Sequence, residues 1–192
     1  MIYNSRYWKN KLLVLYQKYT KSLKYINFEN KEDFVEYYCF ESAFIIRKLI
    51  DSNKLSNYCD SRAIGVNRYL IQDSKNVTIF NRDRVEKLYD FSKYNREDKK
   101  VRDICNSLIH SFCFTVLWDE NFRESFKFLV SSDHDKDKYI YEVSFENWDA
   151  IVWEVITDDI CSTSWEKPEK NYNDKKNGYK CKKGTTKEFP DF

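Results

Sequence analysis

Three polar residues at helical spacing give the clearest indication of chemistry in this chain. Arg102, Asn106 and His110 follow one another at intervals of four residues, and His110 is one of only two histidines. On a wheel of about 100° per residue they share one side of a helix whose other side is apolar. That ridge can present a guanidinium, an amide and an imidazole to one ligand, such as a phosphate and its neighbouring hydroxyl.

A structural role for this histidine is the alternative. A histidine near the C-terminus of a helix is often found there because its cationic form interacts favourably with the last carbonyls and the negative end of the helix dipole. The sequence leaves both interpretations of His110 open.

A second helix, predicted over residues 34–50, is apolar on nearly all sides and is expected inside the fold or at a subunit interface. Charged side chains are costly to bury there. Two hypotheses are therefore open for Glu41 and Arg47. They hold neighbouring helices through a buried ion-pair network, or they contribute to a polar active cleft.

Periodic apolar residues and caps predict the surrounding elements. The predicted helices are residues 7–23, about 31–51 with Asn30 as N-cap, 83–91, 101–112 and one capped by Ser144. Residues 52–82 show no clear pattern beyond a short run at 77–80 that is either a strand or an extended segment.

Three β-rich runs, residues 113–118, 125–130 and 138–143, are typical of an antiparallel meander. The turn before the third run contains the other histidine, His134, among aspartates. We interpret it as a solvated hairpin loop, because its spacing fits no EF-hand metal loop.

These elements predict a mainly α, α+β fold. We expect a helical bundle over residues 1–112, a β-meander plus helix packed on it over 113–160, and a weakly structured tail rich in Lys and Asn over 161–192.

Charge is distributed unevenly along the chain. Residues 1–118 carry 21 Lys and Arg against 14 Asp and Glu, residues 119–165 carry 4 against 12, and residues 166–192 carry 8 against 5. The basic helical part suits a polyanionic partner, although simple solvation of these faces explains the same pattern.

Six cysteines contain no C-x-x-C pair, and the first residues form no apolar signal segment. We therefore expect free thiols, a cytoplasmic protein, and neither a structural zinc site nor another cofactor. No apolar run is long enough to cross a bilayer, and the glycine motifs of phosphate-binding loops and of serine hydrolases are missing from the sequence.

Two stretches together resemble the HEPN superfamily (higher eukaryotes and prokaryotes nucleotide-binding). ESAFIIRKLIDSNKLS at residues 41–56 is similar to an early bundle helix of bacterial HEPN-like proteins, and RDICNSLIH at residues 102–110 is similar to the catalytic helix. In that family an Arg and a following polar residue precede a His by four to six positions. Asn106 and His110 match this signature, whereas Cys105 stands at the Arg position.

The resemblance implies a helical bundle acting as a metal-independent endoribonuclease in phage defence or a toxin–antitoxin system. RNA supplies its own nucleophile, the 2′-OH, so His110 would move a proton while Arg102 or Arg47 holds the phosphate and Asn106 orients it. The family's homodimer would add a second His110. The expected partners are RNA, a second copy, and an antitoxin or defence-system protein.

Two further hypotheses compete with the nuclease. With Cys105 at the Arg position, the chain is alternatively a catalytically inactive nucleotide- or RNA-binding or protein-interaction module. A purely structural partner protein would instead show a large apolar surface, consistent with the 18% aromatic content.

Overall fold

The computed structural model describes residues 3–22, 31–118, 125–160, 162–166 and 180–184. Within these ranges the protein is α+β, in agreement with the predicted class. The helices are α1 (Ser5–Ser22), α2 (Lys31–Asp51), α3 (Asn57–Ser61), α4 (Val85–Leu88), α5 (Val101–Ile109) and α6 (Phe145–Thr157). The strands are β1 (Ala63–Leu70), β2 (Asn95–Lys100), β3 (Ser111–Trp118), β4 (Ser125–Ser132), β5 (Tyr139–Ser144), β6 (Ser162–Glu166) and β7 (Lys180–Gly184).

Five of these strands form one antiparallel sheet in the order β2-β1-β5-β4-β3. The predicted meander is confirmed as β3-β4-β5. Strands β1 and β2 extend it, and they come from the range expected to form only a helical bundle. The sequence hides β2 because NREDKK is wholly polar, which is typical of an edge strand that discourages pairing with other chains.

The sheet has an apolar layer on each face. Along β4, Phe128 and Val130 pack on the helical side, whereas Leu129 between them faces the opposite side. This alternation is the two-residue period of a strand buried on both faces. Trp148 of α6 is fully buried on the helical side, where its indole N–H donates to the Ser42 hydroxyl of α2 at 3.2 Å.

The segment from residue 71 to residue 92 covers the other face. It contains α4 and the fully buried Tyr89, whose hydroxyl donates to the carbonyl of Lys136 at 2.7 Å. The run at residues 77–80 is not a strand: it forms turns, and the Val77 N–H donates to the Asp137 carboxylate at 2.8 Å. The helix predicted over 83–91 is shorter in the structure, where only α4 (Val85–Leu88) is helical.

Helices α1 and α2 agree closely with the predicted bounds, and α6 follows Ser144 as predicted, because each carries a continuous apolar stripe. The Ser144 hydroxyl accepts from the Asn147 N–H at 3.1 Å and so caps α6 as predicted. The predicted N-cap at Asn30 lies outside the described residues. A buried ion pair between Lys9 and Asp158 joins α1 to the end of α6, and the Ser56 N–H donates to the same carboxylate at 2.9 Å.

Strands β6 and β7 pair with each other within the range expected to be a weakly structured tail; the rest of that tail lies outside the described residues. Within the described ranges, no helix is both long and apolar enough to cross a membrane. The four cysteines whose side chains are described, Cys39, Cys59, Cys105 and Cys113, are free and buried.

Candidate active-site cleft

A cleft of about 730 Å³ opens where the end of α5 meets the turn between β4 and β5. Both histidines of the chain, His110 and His134, line it, together with the cations Arg47 from α2 and Lys99 from β2. We refer to it as the His110 cleft. It is also lined by three carboxylates, which belong to Asp103, Asp133 and Asp135. The cleft therefore places two imidazoles and two cations beside three anions.

His110 is held at the junction between helix and strand. Its main-chain N–H donates to the Asn106 carbonyl at 3.0 Å, and its own carbonyl accepts from the Asp133 N–H at 3.1 Å. The helix ends here because the β-rich run of β3 begins at Ser111. His110 is exposed, so a main chain fixed on both sides presents its imidazole to solvent in the cleft.

Arg47 and Asn106 form the second part of the site. The Arg47 Nε donates to the Asn106 Oδ1 at 2.7 Å, and another of its N–H groups bonds to Asp51. Burial, with the nearby Arg102 charge as a smaller cause, lowers the pKa of Arg47. Because the Asn106 oxygen is occupied by Arg47, the amide NH₂ is the group left to donate to a ligand.

Arg102 points elsewhere, although it shares the helix ridge with Asn106 and His110. Its guanidinium lies 3.0 Å from Asp51 and 3.9 Å from Asp60. It is not among the residues that line the His110 cleft. Eight residues of helix span about 12 Å, which separates Arg102 from His110 by two turns. The predicted ridge therefore covers two different local sites.

Glu41 also lies apart from the cleft. It borders a separate groove, whose walls are both acidic and apolar, together with Tyr37 and Phe44 on α2 and Ile109 on α5. Of the predicted site residues, the structure brings together Arg47, Asn106 and His110, and places Arg102 and Glu41 outside the lining.

Position 105 lies on the core side of α5. Cys105 is completely buried, and burial raises the pKa of its thiol to about 12. An arginine at this position would point into the apolar core, away from the cleft. The guanidinium that reaches the cleft comes from Arg47 on α2.

His134 is the residue whose position the sequence analysis missed. Its ring is 83% exposed, as expected of a solvated turn, yet it lines the His110 cleft. Its position follows from long-range pairing, since β3 begins directly after His110 and Ser111 pairs with Ser132 at the end of β4. Antiparallel pairing then places the turn after Ser132 beside His110.

Asp135 orients this second imidazole. The Nδ1 of His134 lies 2.9 Å from the Asp135 Oδ1, and the Ser132 hydroxyl donates to the other carboxylate oxygen at 2.9 Å. Burial acts to raise the pKa of Asp135, but the hydrogen bonds from His134, Ser132 and Tyr139 outweigh it and lower that pKa. The carboxylate is therefore ionised at neutral pH.

Aromatic side chains form part of the cleft wall. The Tyr139 and Tyr141 rings are 4.9 Å apart, and the Lys99 ammonium lies 5.3 Å from the Tyr141 centroid. Rings of this kind stack on nucleobases of any sequence. In the described part of the chain, no cluster of three or more His, Cys, Asp or Glu side chains is arranged to hold a metal ion.

No protein-family model, curated protein or solved structure matches this chain.

Proposed function

We propose that this protein is a metal-independent endoribonuclease whose reaction takes place in the His110 cleft. The observation that carries the proposal is the exposed imidazole of His110 beside the bonded pair Arg47 and Asn106 in one cleft. The resemblance to the HEPN superfamily supports the same reaction class.

Each of these residues has a role in cleaving RNA. His110 moves a proton to or from the reacting oxygens, since imidazole exchanges protons near neutral pH. Arg47 neutralises the charge that develops on the phosphorus oxygens, in place of Arg102, and the Asn106 amide donates to one of those oxygens. The partly exposed Tyr139 ring gives an adjacent base a surface on which to stack.

The cellular setting comes from the resemblance alone. We propose a cytoplasmic role in phage defence or in a toxin–antitoxin system, with RNA as the substrate. A homodimer and an antitoxin or defence-system protein are the partners that this setting implies.

The experiment is an RNA cleavage assay with purified full-length protein and labelled single-stranded RNA in excess EDTA. We expect cleavage products with 2′,3′-cyclic phosphate ends, and a loss of about 100-fold or more in His110→Ala. Lys75→Ala, in the turn segment over the opposite sheet face, is the control and keeps the wild-type rate. Cleavage that survives His110→Ala would remove His110 from the mechanism.

A binding module without catalysis is the second candidate, and one observation favours it. The guanidinium of Arg47 is already bonded to Asn106 and Asp51, and that of Arg102 is bonded to Asp51 and lies 3.9 Å from Asp60. Both cations are therefore partly neutralised within the protein. RNA binding that weakens steeply with salt, without cleavage by the wild-type protein, would select this function instead.

A further inference from the structure

Both histidines of the chain line one cleft. His110 comes from the end of α5 and His134 from the turn after β4. The 3.1 Å hydrogen bond from the Asp133 N–H to the His110 carbonyl joins the main chains of the two segments. A turn attached in this way keeps His134 next to the cleft although its ring is exposed.

His134 has a defined way to exchange a proton. Its Nδ1 lies 2.9 Å from the Asp135 Oδ1, and an ionised carboxylate can only accept. Nδ1 therefore donates, and Nε2 is left to exchange a proton with a substrate. The other Asp135 oxygen is fixed by the Ser132 hydroxyl, so the carboxylate itself is held in place.

We propose that His134 is the second proton-transfer residue of this site, so that one chain supplies both imidazoles. The inference rests on the proposed endoribonuclease function. It replaces the second His110 that a homodimer would contribute in the HEPN arrangement, and it makes Asp135 a positioning residue.

The cleavage step then balances within one chain. His110 takes the proton of the 2′-OH while the 2′-oxygen forms its bond to phosphorus. The bond from phosphorus to the 5′-oxygen breaks, and His134 gives its proton to that leaving oxygen. The products are a 2′,3′-cyclic phosphate and a 5′-hydroxyl, and no other reactant is consumed. His134 takes the role of acid because its Nδ1 is bonded to the Asp135 carboxylate, which leaves Nε2 for the leaving oxygen.

The test compares two substrates that differ in their need for an acid. On RNA in EDTA we expect His134→Ala and His134→Asn to lose about 100-fold or more in kcat. On uridine 3′-(4-nitrophenyl phosphate), whose phenolate leaves without a proton, the same variants should stay within about ten-fold of wild type. His110→Ala should lose activity on both substrates.

Two variants near this turn distinguish a chemical role of Asp135 from a structural one. Lys138→Ala is the control, since its ammonium lies 3.8 Å from the Asp135 carboxylate but does not line the cleft; it should keep wild-type activity. Asp135→Asn should lower kcat on RNA about ten-fold with KM unchanged and leave the nitrophenyl ester unaffected. A merely structural role for Asp135 would lower both activities together.

Mixing tests whether the two rings act within one chain. Equal amounts of His110→Ala and His134→Ala chains should recover no RNA cleavage. Recovery to about a quarter of the wild-type rate would show that the rings come from different copies and would overturn the inference.

The single variants separate the inference from the proposed function. If His134→Ala cleaves RNA at the full rate and His110→Ala is inactive, the inference is wrong and the proposed function stands. A wild-type protein that does not cleave RNA would overturn both.

Discussion

The two ends of helix α5 place similar polar residues in very different surroundings. At its first turn, Arg102 contacts the carboxylates of Asp51 and Asp60, which come from α2 and α3. At its last turn, His110 is exposed and faces a cleft that a second imidazole also lines. One end therefore uses its charge to join helices, whereas the other end keeps its polar group available to a ligand. A shared ridge on a helix does not by itself make a shared site.

The largest effect is expected for an arginine at position 105, between these two ends. The thiol of Cys105 is fully buried on the core side of α5. Cys105→Arg would bury a charge without a partner, and we expect it to destabilise the fold by at least about 4 kcal/mol. Denaturant unfolding measures this, with Cys105→Ala as the size control. A stable Cys105→Arg protein that cleaves RNA faster would show that the helix face has been assigned wrongly.

The next largest effect is on stability, and it depends on pH. It comes from Asp149 on α6, away from both ends of α5. Asp149 accepts a 2.7 Å hydrogen bond from the Tyr38 hydroxyl, and burial raises its pKa to about 6 from an ordinary value of 3.8. The folded protein thus binds a proton more tightly than the unfolded chain. Burying the charged carboxylate therefore lowers the free energy of unfolding above pH 6. This loss is recovered as the pH falls from about 6 to 3.8.

Asp149→Asn keeps the acceptor for Tyr38 and removes this penalty. We expect it to stabilise the protein by about 2 kcal/mol at pH 7.5 and to have little effect near pH 4. Thermal unfolding at both pH values measures the difference. An equal stabilisation at both pH values would mean that Asp149 is not the group that titrates.

A smaller effect is expected in the middle of α5. Asn106→Ala removes the acceptor of the 2.7 Å bond from Arg47 and the amide that faces the cleft. We expect kcat/KM on RNA to fall about ten-fold, since one hydrogen bond to a charged group contributes about 1.5 kcal/mol. Steady-state kinetics measure this fall. An unchanged rate would place the reaction centre away from the Arg47 and Asn106 pair.

Arg102→Ala is the matched variant one turn earlier, and it should have the smallest effect. Its side chain is 38% exposed and its pairs are at the surface, so stability should change by less than about 1 kcal/mol. RNA cleavage should stay within about three-fold of wild type. A loss as large as that of Asn106→Ala would restore Arg102 to the site and remove the contrast between the two ends of α5.

Local patterns predicted most of the helices and the meander. The apolar stripes of α1, α2 and α6 each have helical spacing, and Ser144 is a cap that can be recognised from its type alone. The buried face of α5 was also correct, with Val101, Ile104, Cys105 and Leu108 all inside. These features depend on residues within a few positions of one another.

Features that depend on long-range pairing were missed. Strand β2 has no apolar residue, and it exists because β1 pairs with it from Ala63↔Lys100 onward. His134 likewise reaches the cleft only through the register of β3 and β4, which no local pattern contains. Arg102 was assigned to the site because a helical wheel shows the angle around the axis but not the distance along it.

The most direct measurement of the central claim uses the fact that the chain has only two histidines, so an NMR spectrum contains two imidazole Cε1–H signals. The wild-type protein is titrated with an RNA dinucleotide that carries 2′-fluorine at the scissile position and cannot be cleaved. If one RNA phosphate sits between His110 and His134, both signals shift together and saturate with a single dissociation constant. Movement of only one signal, or of neither, would contradict the account.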